Sequence, residues 1–249
     1  MRYRLDISYD GSKYFGFQIQ PNKDTIQERL EKAFEQVYRE KIDIVASGRT
    51  DAGVSAICQV CHFDTDTAVD TRKNVGYLNS ILPSDIRVLS INPTDADFHA
   101  RKSAKEKTYI YNFYVGSGIP VYEGFATNIG YNLDITAMRE ACKYIEGTHD
   151  FSAFCASNTA VKDKTRTIYN IGITEIDYNL YRMEVTGNGF LYNMVRIIMG
   201  TLVSVGMGKI KPSDVANIID SKDRGKAGKT MPPKGLYLKK VVYSNRLTK

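Results

Sequence analysis

The chain is poor in the residues that hold metals or build disulfide frameworks, with four cysteines and three histidines among 249 residues. Cys58 and Cys61 form a CxxC pair, yet a structural zinc site needs a second close pair or paired histidines. Cys142 and Cys155 stand apart, and His62, His99 and His149 are scattered. Read as extended chain, AICQVCHF sends Cys58 and Cys61 to opposite faces, which suits packing and defeats joint chelation. No bound metal is expected. The opening MRYRLDIS has neither the apolar core nor the small-residue cleavage pattern of a signal peptide, so the expected setting is a reducing cytoplasm. The most apolar stretch, FLYNMVRIIMGTLVSV, is short and carries Arg196; it reads as a core helix and not as a membrane span.

Nucleotide-binding loops are missing too. GKAGKT resembles a phosphate-wrapping loop, but Asp223 stands where that loop needs a glycine, and a carboxylate repels phosphate. The GNG at Gly187 to Gly189 has Tyr192 where a dinucleotide fingerprint needs glycine. Both read as turns or caps, and no cofactor is expected. No Pro, Gly or Ser-rich linker marks a domain join.

What is present is enough apolar sequence, 43% of residues, to bury a sizeable core. The 34 Lys and Arg outnumber the 28 Asp and Glu, for a net charge of +6 and a pI near 9.0. This favours an anionic partner such as nucleic acid, although ordinary solubility charge has the same look. RYRLDISYDG alternates as a half-buried antiparallel strand, with Tyr3, Leu5, Ile7 and Tyr9 on one face. Thr25 and Glu28 form a capping box for the amphipathic helix TIQERLEKAFEQVYRE. The segments IDIVAS and ICQVCHFDT read as extended on either side of SGRTDAGV. After ARKSAKEK comes TYIYNFYV, an aromatic strand, and Asp134 caps a helix over ITAMREACKYIE. IYNIGITEI, YRMEV and GLYLKKVVYS supply further strands. Hairpin-like neighbours without regular strand–helix alternation predict an antiparallel α+β fold in two loosely similar halves, residues 1–105 and 106–249.

Three places carry chemistry. In SGRTDAGV, Gly48 and Gly53 free the backbone to project Asp51, with Arg49 beside it; Asp and Gly are also plain turn formers, and Arg49 fits a surface charge equally well. Arg196 is the only charged residue between Phe190 and Val205. With apolar side chains on nearly every side it reads as buried, and a buried guanidinium calls for an anion, which is Asp51 or another structural carboxylate. Tyr109 follows a basic segment, a setting suited to stacking on a base, though aromatic strand residues also build cores.

With these residues in place, SGRTDAGV resembles the signature of the TruA family of tRNA pseudouridine synthases. The segments YDGSKYFGFQIQP, NSILPSDI, FHARKSAKEKTYIY, DFSAF, GNGFLYNMVRIIMGTL and PPKGLYL follow in that family's order and cover nearly the whole chain. The resemblance implies the pseudouridine synthase fold, with flanking helices and a central cleft. It also implies a cofactor-independent isomerase that converts uridine to pseudouridine at positions 38 to 40 of the tRNA anticodon arm, as a homodimer. Asp51 takes the nucleophile position, Arg49 helps turn the base out, Arg196 partners the carboxylate, and Tyr109 matches the active-site tyrosine. Ser55 and Ile110 stand where the family commonly has a histidine and a basic residue. These departures touch RNA contact and uridine choice, and so leave room for a paralogue with shifted targets. A non-catalytic RNA-binding module and a nucleotide-dependent enzyme are the rival readings.

Overall fold

The structure is a computed structural model that describes residues 1–157 and 161–243. The chain folds as two compact units, one built from Met1–Lys105 together with the residues from Tyr237 onward, the other from Glu106–Leu236.

In the first unit, strand β1 (Arg2–Tyr9) alternates as its sequence demands, with Tyr3, Leu5, Ile7 and Tyr9 buried. Helix α1 spans Ile26–Tyr38, β2 Val45–Ala46, β3 Ser55–Asp64, α2 Thr71–Ile81 and β4 Ile86–Pro93. β1 lies between β3 and β4 and pairs antiparallel with both, Leu5 facing Cys61 on one side and Ile91 on the other. The apolar stripe of α1, Ile26, Leu30 and Phe34, is fully buried, and Phe34 meets Phe63 of β3 edge-on at 5.0 Å. Each such side chain contributes about 1.5–3 kcal/mol by leaving water. Thr25 caps α1 by accepting from the Glu28 N–H, but the Glu28 carboxylate bonds Lys32 instead of returning to the cap, so only half of the expected capping box forms. Cys61 shares a register position with Leu5 and is buried, whereas Cys58 is partly exposed. Burial pushes both thiols up.

The second unit contains β5 (Ala104–Val115), which starts at the end of the first, then β6 (Thr127–Ile129), α3 (Ile135–Cys142), β7 (Gly147–Asp150), β8 (Thr165–Asp177), β9 (Leu180–Gly187), α4 (Met194–Gly206) and α5 (Asp214–Ser221). Its strands run in the order β5-β9-β8-β7, each pair antiparallel, with β6 added parallel to β5. Helix α4 is apolar on nearly all sides because nearly all sides are covered. It meets α3 where Gly206 faces Met138 and its carbonyl accepts the Asp134 N–H at 2.9 Å. α3 is capped by Asp134 as expected but ends at Cys142, four residues short of the predicted span.

The last strand, β10 (Leu236–Tyr243), returns to the first unit, where Tyr237 and Leu238 pair parallel with Ser55 and Ala56. The first unit's strand order is thus β4-β1-β3-β10. GLYLKKVVYS has the composition of a strand, yet nothing in a local pattern says which edge it joins or in which direction. The strand is fastened by the Tyr243 hydroxyl, which donates to the Ala100 carbonyl at 2.6 Å, and by Arg4 over its ring. No helix among the described residues is long and apolar enough to cross a membrane.

Candidate active site

Asp51 lies on the short segment between β2 and β3, and the backbone of that segment is fixed on both sides. Ser47 donates to the Gln59 side chain at 2.5 Å, and the Gln59 amide donates to the Gly48 carbonyl at 2.8 Å. The Val54 N–H closes a turn onto the Asp51 carbonyl at 3.1 Å, a turn that needs Gly53 at φ +77°. Thr50 is buried, with its hydroxyl 2.8 Å from that of Tyr9 at the end of β1.

A second loop, residues 10–17, clamps the first. The Phe17 N–H donates to the Thr50 carbonyl at 3.1 Å, and the Gly53 N–H donates to the Tyr14 carbonyl at 3.2 Å. The approach is close enough to require glycine. A Cβ on Gly16, itself at φ +90°, would lie 2.7 Å from the Thr50 oxygen, and one on Gly11 would lie 2.0 Å from the Val54 oxygen. Ser55 completes the clamp, its buried hydroxyl accepting the Gly11 N–H at 3.0 Å and donating to Asp10 at 3.4 Å. The outer end is tied to Asp85, which accepts from the Tyr14 hydroxyl at 2.7 Å and pairs with Lys13 at 3.3 Å. Burial works to raise the Asp85 carboxyl, but the Tyr14 hydrogen bond and Lys13 outweigh it and hold the group below the usual carboxylate range. The Tyr14 hydroxyl is pushed up by the same burial and by that bond.

Asp51 is thereby half-buried on a backbone with little freedom, while Arg49 two residues earlier is exposed. A carboxylate held in this way loses little entropy when it meets a substrate. Local patterning pointed to SGRTDAGV but missed the clamp. The signal available was the glycine pair in YDGSKYFG directly after a strand, which by itself reads as a turn.

Tyr109 and Arg196 belong to the second unit. Tyr109 is buried on β5, opposite Val185 of β9, with its ring edge-on to Phe190 at 5.1 Å. Arg196 sits in the first turn of α4, half-buried, and not enclosed as its apolar neighbours in sequence suggested. Its Nε donates to the Met231 carbonyl at 2.6 Å and another guanidinium nitrogen donates to the Asn193 side chain at 2.7 Å, so neutral oxygens already orient it. Asn193 takes a left-handed conformation at φ 60° to start the helix. Tyr111, two residues beyond Tyr109, is bonded to Thr127 and to the Pro232 carbonyl, and burial pushes its hydroxyl up to about 12 despite the nearby Arg196 charge. The four residues singled out in the sequence therefore divide as Asp51 and Arg49 in the first unit, Tyr109 and Arg196 in the second.

The near-miss phosphate loop has a different use. Gly228 packs against α4 so tightly that a Cβ on Gly200 would lie 1.8 Å from the Lys229 oxygen. The Gly228 N–H donates to Thr201 at 2.9 Å, and Arg224 donates to the Gly228 carbonyl at 2.9 Å. Its glycine thus serves helix packing.

The class of protein follows from comparison with known sequences. The family model for tRNA pseudouridine synthase matches residues 7–101 and 141–244. The tRNA pseudouridine synthase A of Bacillus subtilis is 47% identical over 98% of this chain and 100% of its own length. Those of Bacillus licheniformis and Caldicellulosiruptor bescii are 45% and 46% identical, covering 98% and 96% of this chain and 100% and 98% of theirs. The chain belongs to the tRNA pseudouridine synthase family.

Proposed function

We propose that this isomerase converts uridine to pseudouridine at positions 38 to 40 of the tRNA anticodon arm, with Asp51 as the nucleophile. The observation that carries the reading is the clamped loop: one carboxylate, half-buried, on a backbone braced by Tyr9, Gly11, Gly16 and Ser55 within a family of uridine isomerases. The reaction breaks the bond from uracil N1 to ribose C1′, forms one from C5 to C1′ and moves the C5 proton to N1. Substrate and product have the same atoms, so the stoichiometry calls for no oxidant, reductant or phosphoryl donor.

A stacked base must first leave the RNA helix, which costs a few kcal/mol. Arg49, exposed beside Asp51, suits the role of holding the RNA open, and Tyr109 that of stacking on the freed base. Arg196, oriented by Met231 and Asn193, takes in this reading the role that the family resemblance gives it, partner of the nucleophile's carboxylate. The working enzyme is a cytoplasmic homodimer in this reading, and its anticodon specificity rests on the family resemblance. The test is to incubate the purified chain with unmodified tRNA transcripts and map pseudouridine by carbodiimide adduct and primer extension. Stops at positions 38 to 40 support the assignment; modification confined to another arm overturns it.

A further inference from the structure

Phe15 lies in the clamp loop between Tyr14 and Gly16, two of the residues that hold the Asp51 segment, and is itself 47% exposed. Its backbone has no slack. The Phe15 N–H donates to the Asp24 carbonyl at 2.9 Å, and its carbonyl accepts from the Gln20 amide at 2.7 Å. The turn beyond it is closed by the Lys23 N–H on the Gln20 carbonyl at 3.3 Å, with Asn22 at φ 57°. A further bond runs from the Ile19 N–H to the Gln27 side chain at 3.2 Å. This turn brings the Lys23 ammonium over the Phe15 ring, 4.2 Å from its centroid. Lys23 makes no ion pair among the described residues, whereas the adjacent Arg29 and Lys32 are taken by Asp24 and Glu28. An open depression bounded by Ile19, Pro21, Lys23 and Arg29 runs alongside.

A large aromatic ring left in water adds nothing to the core, and rigid placement removes the entropy that a flexible ring would lose on meeting a ligand. A half-exposed ring capped on one side by a cation without a carboxylate is a combination that can take an unstacked base and its phosphate. We infer that Phe15 and Lys23 form a nucleotide subsite for the tRNA, the ring receiving a base adjacent to the uridine presented to Asp51 and the ammonium meeting the neighbouring phosphate. The inference rests on the proposed tRNA reaction and adds a contact outside the residues assigned to it.

The experiment measures tRNA affinity, the rate at subsaturating tRNA and the sedimentation of the free protein for the wild type, Phe15→Ala, Phe15→Tyr and Lys23→Ala. Phe15→Ala weakens tRNA binding about tenfold and lowers the subsaturating rate by the same factor. Phe15→Tyr, which keeps the stacking face, recovers most of that loss. Lys23→Ala lowers the slope of log affinity against log salt by about 1. Wild-type affinity and rate in Phe15→Ala overturn the subsite, and so does a change in free-protein sedimentation, which assigns the ring to contact between copies of the chain. A wild-type enzyme that forms no pseudouridine in tRNA overturns the functional reading instead, and the two failures are thereby told apart.

Discussion

The loop that carries Asp51 and the helix that carries Arg196 both depend on glycines that let two backbones touch, but to different ends. Around Asp51, Gly16 and Gly53 take positive φ values and free the chain to turn, while hydrogen bonds from Tyr9, Phe17, Gly53 and Ser55 set where the turn stops. Along α4, Gly200 and Gly228 have ordinary backbones and serve only to bring a loop onto a helix that is otherwise sealed in the core. The first arrangement spends its glycines on the position of one side chain, the second on packing. Substitutions in the two places should therefore separate turnover from stability.

The largest stability effect is expected at Gly200→Ala. The new methyl meets a backbone oxygen that cannot swing away, which destabilises by about 3 kcal/mol and lowers the midpoint of thermal unfolding by roughly 6–12 °C. Gly16→Ala should reverse the balance. Strain at positive φ is worth about 2 kcal/mol, but the shifted Asp51 loop costs about a hundredfold in turnover, and a larger thermal shift than that of Gly200→Ala would break the contrast. Ser55→Ala leaves the buried Gly11 N–H without its acceptor, so a loss of about 1 kcal/mol in denaturant unfolding is expected, with a smaller fall in rate than at Gly16.

A separate effect is in pH dependence. His62 is buried against Phe98 and His99, and its Nδ1 accepts the Ala100 N–H at 3.2 Å. Burial, then the Arg2 charge and His99, lower its pKa from 6.5 to about 4. The unfolded chain takes up that proton first, so stability falls as pH drops from about 6.5 towards 4, above the range where depressed carboxylates such as Asp85 add their own loss. Denaturant midpoints measured across that window should slope less in His62→Gln than in the wild type.

Much of the first unit is legible in its residues. Alternation places Tyr3, Leu5, Ile7 and Tyr9 in the core, and Thr25 starts α1, because both signals are local and the chain obeys local sterics there. The Asp51 segment is legible as a glycine-flanked carboxylate, and the roles proposed for Arg49, Tyr109 and Arg196 come only through family resemblance. The clamp was not legible: Gly16 meets Thr50, and Gly11 meets Val54, across intervals that no periodicity links. For the same reason GKAGKT could be ruled out as a phosphate loop but not recognised as the partner of Gly200, and GLYLKKVVYS could be read as a strand but not placed beside Ser55. Arg196 shows a related limit, since counting its apolar neighbours overlooked its place in the first turn of α4, where the helix end admits solvent and two neutral acceptors.

The most direct measurement compares tRNA affinity and pseudouridine formation in Asp51→Asn with the wild type. The amide keeps the shape of the side chain and the clamp beneath it but cannot serve as an anionic nucleophile, so binding should stay within about twofold and turnover should drop below about one-thousandth of wild type. Turnover at a tenth of the wild-type rate or more, in a preparation free of other synthases, would contradict the assignment of Asp51 as the group that begins the reaction.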